Sequence, residues 1–268
     1  MNSPRALIPA IALLCLASLH ASPAMATHSW GGYHWSRPSN PITVAIGDNL
    51  ATSWKSYLTK AATDWQLTSG ACNNPNNPIR TTVVAGRANN KRCNATAGRV
   101  EVCNGTYGNN GWLGIAGISV SGSHISSAYV KINDTYFNTA TYNTPAWRQF
   151  VMSQEVGHAF GLDHQDTNFN NADLLDACGR GSCMDYTNDP TQNTTPNQHD
   201  YDELVTIYSH FDSAAFAPMI VPVDQRVDIS VPSTWGQAMR FNDHGRGTVY
   251  ERDFGGGRKE YTFILWVE

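Results

Sequence analysis

The chain has 268 residues, which is enough for one good-sized domain and an accessory segment. Hydrophobic residues make up 41% of the sequence and charged residues 15%, and the formal net charge is −4. This mild charge balance is typical of a globular protein and does not favour nucleic acid or an anionic membrane as the partner.

The N-terminus has the three parts of a secretory signal peptide. Arg5 supplies the positive charge, residues 6–19 form an apolar run, and the Ala-Met-Ala sequence at 24–26 is a small-x-small cleavage signal. We therefore expect residues 1–26 to be removed and the mature protein to be secreted or periplasmic. The apolar run is too short for a membrane anchor, and no later segment has the length and apolar character of a membrane span.

An exported protein can form disulfides, and five cysteines follow the predicted cleavage point. Because five is an odd number, at least one cysteine has no partner within the chain. Short loops are the simplest closures, so Cys93–Cys103 and Cys178–Cys183 are the expected pairs. Cys72 is then left over, although the sequence alone does not settle the pairing.

The mature chain begins with a predicted strand, helix and strand. Ile42, Val44 and Ile46 alternate on one face of the first strand. Apolar residues then recur at helical spacing in SWKSYLTKAATDWQL, and IRTTVVAG predicts the next strand. A long Gly- and Asn-rich loop over residues 87–111 includes a short strand at GRVEVC. Two further strands are predicted at GWLGIAGISVSG and SAYVKIND.

The next helix carries the most informative pattern in the chain. The Thr-Pro pair at 144–145 is a typical helix start. An apolar stripe then continues into Gln154 and His158, so that two polar side chains point in the same direction as the core-facing residues. Gly161 ends the helix, as glycine does where φ must be positive.

A polar stretch separates this helix from a last one, HDYDELVTIYSHF. Beyond Ser213 the sequence is punctuated by proline and ends in two predicted hairpins, the second of which turns at residues 255–257. We therefore expect an α+β fold, with a main domain over residues 27–212 and a β-rich C-terminal extension over residues 213–268.

The polar residues of the informative helix have the spacing of a metal site. Residues at i and i+4 share a helix face, so Gln154 and His158 can bind one ion together. Glu155 is displaced around the helix, where it can act as a general base without being a ligand. Gly161 lets the chain turn back so that His164 can reach the same ion. The alternative is an amphipathic helix with unrelated histidines, but buried polar groups that converge need partners, which a metal supplies.

This segment resembles the signature H-E-x-x-H-x-x-G-x-x-H of the metzincin zinc peptidases, with Gln154 in place of the first histidine. The sequence SCMDY resembles the methionine turn of the same family, with Met184 as the methionine and Tyr186 two residues later. The resemblance extends over residues 41–211 and is closest to the matrixins and bacterial matrixin-like proteins. It implies a twisted mixed sheet with two long helices and a smaller, irregular C-terminal subdomain with one helix.

The resemblance also implies a function, that of a secreted zinc endopeptidase acting on protein or peptide substrates. Zn²⁺ would be held by His158, His164 and Gln154. Glu155 would be the general base, and Tyr186 would assist at the substrate carbonyl. The peptide would lie extended along a sheet edge, for which GWLGIAGISV is the candidate strand. An ordinary glycine-rich strand is the alternative interpretation.

The glutamine leaves three interpretations open, because an amide oxygen is a poorer zinc ligand than imidazole. In the first, Gln154 ligates weakly through its amide oxygen, and in the second Asp166 joins the two histidines instead. In the third, no metal binds and the protein is a secreted binding protein that retains the fold. The presence of all the other signature residues favours the first two.

Two weaker metal signals remain. The Asp- and Asn-rich run 163–176 could bind Ca²⁺ through oxygen ligands, but it lacks the spaced D-x-D-x-D-G pattern, which favours a solvated loop. His124 opens a strand, and the resemblance to matrixins implies that it could help to hold a second, structural zinc ion, but no partners stand out, so a surface histidine on an edge strand is the favoured interpretation. The other histidines show no pairing in the sequence: His28, His34, His199, His210 and His244.

Overall fold

The structure is a computed structural model that describes residues 28–213 and 231–268. The predicted signal peptide, residues 1–26, lies outside the described residues, as do residues 214–230 of the extension. Within the described ranges the chain forms one mixed sheet of nine strands with four helices, so the expected α+β class is confirmed.

The secondary structure follows the predicted order. The strands in the described ranges are β1 (His34–Trp35), β2 (Ile42–Asn49), β3 (Ile79–Ala85), β4 (Arg99–Gly105), β5 (Trp112–Ser121), β6 (His124–Asn133), β7 (Gln237–Phe241), β8 (Gly247–Gly255) and β9 (Arg258–Trp266). The helices there are α1 (Thr52–Asp64), α2 (Asp134–Phe137), α3 (Pro145–His158) and α4 (Gln198–Ile207). The sequence did not reveal β1 and α2, because both are too short to carry a periodic pattern. None of the helices in these ranges has the length and apolar character needed to cross a membrane.

The sheet has the strand order β3-β2-β4-β6-β5-β9-β8-β7, and β1 pairs with the start of β6. The first four strands of this order are parallel, and β5 runs antiparallel to β6. Parallel neighbours need a crossover connection, which α1 provides between β2 and β3. The helices α1 and α3 pack against each other, and α3 packs against β5.

β5 is not an edge strand, so the prediction that GWLGIAGISV forms an open edge is wrong. β6 pairs with one side of it, and β9 pairs antiparallel with the other side from Trp112 to Ser121. The hairpins predicted for the C-terminal extension form β7, β8 and β9, and β9 joins the extension to the sheet of the main domain. Sequence periodicity cannot reveal this, because the two paired strands are far apart in the chain.

Apolar side chains fill both faces of the central strands. Ala128, Val130 and Ile132 of β6 lie in the main core with α1 and α3, as their alternation predicted. Tyr129 lies in a second cluster, because successive residues of a strand point to opposite faces. The same alternation places Phe263 of β9 in the main core. The second cluster includes Cys93, Cys103, Trp112, Ile115, Trp235 and Ile264.

Two disulfides are present in the described residues. Cys93–Cys103 is confirmed, but Cys178 pairs with Cys72 instead of Cys183. Cys183 is a free, fully buried thiol in the main core. The Cys72–Cys178 pair joins residues 106 positions apart, and only the tertiary fold brings such distant residues together.

Candidate metal centre

Local sequence sets both ends of α3. The Thr144 side chain accepts a hydrogen bond of 3.2 Å from the backbone N–H of Trp147, as expected of an N-cap. The last helical residue is His158, and Gly161 follows with a φ of +100°. A Cβ at residue 161 would clash with the backbone carbonyl of Tyr33, so both conformation and space require glycine here.

This turn brings His158 and His164 together in the interior. Their Nε2 atoms lie 3.1 Å apart, and neither side chain is appreciably exposed. Nδ1 of His158 lies 2.9 Å from the carbonyl oxygen of Leu162, to which it donates. This leaves the Nε2 lone pair of His158 facing His164. Two imidazoles bound to one tetrahedral zinc ion have their nitrogens about 3.3 Å apart, given bonds of about 2.0–2.1 Å. The observed spacing fits such a pair.

Gln154 lies one helical turn before His158 and is fully buried. Its amide nitrogen donates a 3.1 Å hydrogen bond to the backbone carbonyl of Asp185. The other amide atom, Oε1, is buried and has no hydrogen-bond partner among the described residues. An unsatisfied buried acceptor costs roughly 1–3 kcal/mol. A metal ion would satisfy this oxygen, so the donor set of two imidazoles and one amide oxygen fits a cation.

Glu155 is held between α3 and β5. Both of its carboxylate oxygens are buried without a hydrogen-bond partner in the described residues. A Cβ at Gly114 of β5 would overlap Oε1 of Glu155, so the glycine that suggested close approach of a peptide accommodates Glu155 instead. Burial raises the pKa of Glu155 well above its usual range.

Burial also keeps the two imidazoles neutral. It lowers the pKa of His158 to about 3 and that of His164 well below its usual value. Neutral imidazole is the form that binds a metal ion.

Met184 and Tyr186 lie at the same centre. Sδ of Met184 and the ring of Trp65 occupy the space that a side chain at Gly157 of α3 would need. The ring of Tyr186 meets the ring of His164 edge-on, with centroids 4.8 Å apart. The structure therefore brings the residues of the two predicted motifs together.

Asp166, the alternative third ligand, is engaged elsewhere. One carboxylate oxygen accepts a 2.9 Å hydrogen bond from the backbone N–H of Asn168, and the other accepts from the Asn171 side chain. Burial, together with the charge of Asp166, raises the pKa of Asp185 to about 8. Both carboxylate oxygens of Asp166 are thus engaged within its own loop, whereas Oε1 of Gln154 has no hydrogen-bond partner in the described residues.

The C-terminal extension covers the centre. Phe263 of β9 stacks on the His158 ring, with centroids 4.4 Å apart and planes inclined by 9°. The hydroxyl of Tyr186 donates a hydrogen bond to the backbone carbonyl of Ile264. The metal-site motif gives no sign of Phe263 or Ile264. The alternating apolar residues of EYTFILWVE predict a strand, but they do not show which strand it pairs with.

The Asp- and Asn-rich loop forms a polar cavity of about 360 Å³. Residues from 169–173 and 187–192 line it, including Asp173 and Asp189. Binding of Ca²⁺ by this loop stays a prediction.

No protein-family model matches the sequence, and no curated protein matches it.

Proposed function

We propose that the protein is an exported zinc endopeptidase in which His158, His164 and the Oε1 atom of Gln154 hold the metal. The proposal is carried by one observation, the 3.1 Å approach of two buried imidazole nitrogens, one of them on the helix that also carries the buried Glu155. Two disulfides agree with an oxidising compartment outside the cytoplasm. The metzincin resemblance of the signature supports the same assignment.

Zinc held by these residues would lower the pKa of water and polarise the carbonyl of the scissile peptide bond. Glu155 takes a proton from the attacking water, whose oxygen adds to the carbonyl carbon. Its raised pKa makes it a stronger base than an exposed carboxylate. When the C–N bond breaks, Glu155 passes the proton to the leaving nitrogen. Tyr186 donates its hydroxyl to the carbonyl oxygen.

In this conformation the centre is latent, that is, closed to a substrate. β9 pairs antiparallel along β5, which is the position expected for an extended substrate. The Tyr186 hydroxyl is occupied by the Ile264 carbonyl, and Phe263 covers His158. Hydrolysis therefore requires β9 to move away from β5, so that a substrate strand can replace it.

A second candidate is a secreted binding protein that retains the fold without catalysis. Its support is the same covering strand, together with glutamine at a position where histidine would bind zinc more tightly. The two candidates differ in whether the centre binds zinc and in whether opening it allows hydrolysis.

The test compares the mature wild-type protein with Glu155→Gln, which keeps the size of the side chain but removes the base. Zinc content is measured after dialysis against saturating Zn²⁺, and hydrolysis is followed with a pool of quenched fluorescent peptides. We expect both proteins to bind zinc and the variant to lose about 10²–10⁴-fold in rate. Failure of His158→Ala and His164→Ala to lower the zinc content would overturn the metal assignment. Zinc binding without hydrolysis, both in the wild type and in a variant with weakened packing of β9, would support the binding protein.

A further inference from the structure

A second group of metal-ligand side chains lies around one carboxylate oxygen of Asp212. Nε2 of His124 lies 3.0 Å from Oδ1 of Asp212, Nε2 of His210 lies 3.7 Å from it, and Nε2 of His34 lies 3.8 Å from it. The Nε2 atoms of His34 and His210 are 3.1 Å apart. The ligand atoms of His34, His210 and Asp212 thus form one group, in which all lie within 4.8 Å of one another.

These distances are those of a tetrahedral site. Ligand atoms around a zinc ion with bonds of about 2.0–2.1 Å are separated by about 3.3 Å. The three separations among His34, His210 and Asp212, 3.1, 3.7 and 3.8 Å, lie close to that value. Two imidazoles and one carboxylate supply three ligands of a four-coordinate ion, and solvent at the exposed His210 side chain can supply the fourth.

The surrounding hydrogen bonds orient two of the three side chains as ligands. Nδ1 of His34 lies 2.8 Å from the backbone carbonyl of Gly32 and donates to it, which leaves the Nε2 lone pair facing the cluster. The other carboxylate oxygen of Asp212, Oδ2, accepts from the backbone N–H of Arg37. Metal-binding histidines and carboxylates are usually held by such outer contacts.

We infer that His34, His210 and Asp212 form a second zinc site, which holds distant parts of the chain together. Two of these ligands, His34 and Asp212, lie outside residues 41–211, over which the sequence resembles the metzincins, so the resemblance does not supply the site. The interpretation of His124 as lying on an edge strand is wrong, because β6 pairs with β4 and β5. The His124 side chain is partly buried and lies 3.0 Å from Oδ1 of Asp212.

The ion would tie β1 to the segment after α4, and the contact of His124 with Asp212 adds the start of β6. The segment before β1 also contacts the turn after α3, since the N–H of Trp30 donates a 3.2 Å hydrogen bond to the carbonyl of Gly161. Zinc at this cluster would therefore hold the segment that supports the turn leading to His164. Solvent reaches the cluster directly, because the His210 side chain is 51% exposed.

Two other groups within the described ranges carry no such site. Cys72 and Cys178 are joined in a disulfide, which removes their thiolates. Asp200 lies near His28 and His199, but its carboxylate accepts from Ser182 and from the backbone N–H of the α4 N-cap.

The experiment measures zinc per chain in the untagged mature protein, using Zn²⁺ alone as the probe. The variants are His210→Ala, His164→Ala and the two combined, with exposed His244→Ala as the control. We expect about two zinc ions in the wild type and the control, about one in each single variant and none in the combination. One zinc in the wild type that His210→Ala removes but His164→Ala keeps would support this site and contradict the proposed function.

A zinc content that His210→Ala does not change would overturn the inference. His210 is half-exposed, so its truncation leaves the core packing intact. Asp212→Asn is the second variant, because asparagine keeps an acceptor for the Arg37 N–H but loses the charge. Zinc should raise the Tm of His164→Ala and should not raise that of His164→Ala combined with Asp212→Asn. Equal increases in Tm would also overturn it.

Discussion

Phe263→Ala tests whether β9 keeps the centre latent. Phe263 is fully buried in the main core and stacks on His158, so its truncation removes the ring that covers this proposed metal ligand. The substitution leaves the backbone pairing of β9 with β5 in place, because it changes only the side chain.

The expected magnitude follows from the burial. Truncation of a fully buried phenylalanine costs about 3–5 kcal/mol, against a typical total stability of 5–15 kcal/mol. Much of this packing is lost when β9 leaves β5, so the same change favours the open state by a similar amount. Each 1.4 kcal/mol is a factor of ten, so the open population, and with it the rate of hydrolysis, should rise by about 10²–10³-fold until the open state dominates.

The assay measures kcat/KM for a quenched fluorescent peptide with the zinc-loaded mature protein, and urea unfolding gives the stability. Ile46→Ala is the matched control, because Ile46 is also fully buried but lies on β2, three strands from β5. It should cost about 2–5 kcal/mol of stability without faster hydrolysis. Adding Glu155→Gln to Phe263→Ala should abolish the gain.

Two results would refute the reasoning. A folded, zinc-loaded Phe263→Ala protein that hydrolyses peptide no faster than the wild type would show that β9 does not limit access. An equal gain in Ile46→Ala would attribute the effect to general destabilisation.

Three further predictions concern the centre and its surroundings. Gln154→His should tighten zinc binding by at least about 10–100-fold in competition with a chelator; an unchanged affinity would show that residue 154 is not a ligand. Gly161→Ala should destabilise the protein by about 1–3 kcal/mol in urea unfolding, because φ is +100° and the methyl group would meet the Tyr33 carbonyl; wild-type stability would contradict this. Burial raises the pKa of Glu260 from 4.5 to about 7, so its contribution to stability is complete below pH 4.5 and is lost as the pH rises to about 7, a change of about 3 kcal/mol. The Tyr129 hydroxyl lies 2.6 Å from the Glu260 carboxylate, and Glu260→Gln keeps an acceptor for it. The variant should gain stability relative to the wild type as the pH rises from 5 to 8. Parallel pH profiles of Tm for the two proteins would exclude this explanation.

The sequence by itself determined the parts of the protein that depend on neighbours within a few residues. The spacing of Gln154, Glu155 and His158 places them on adjacent faces of α3, whatever packs around the helix. Thr144 and Gly161 set the helix ends through local hydrogen bonding and backbone conformation. The alternation of apolar residues likewise revealed the longer strands, because the period of a strand is a local property.

The tertiary structure alone decided which distant segments meet. The pairing of β9 with β5, the Cys72–Cys178 disulfide and the meeting of His34 and His210 at Asp212 all join residues far apart in the chain. None of them leaves a periodic signal, because such contacts depend on how the whole sheet is assembled. For that reason the sequence revealed the helix that carries the proposed metal ligands, whereas the strand that covers it and the second histidine cluster appeared only in the folded chain.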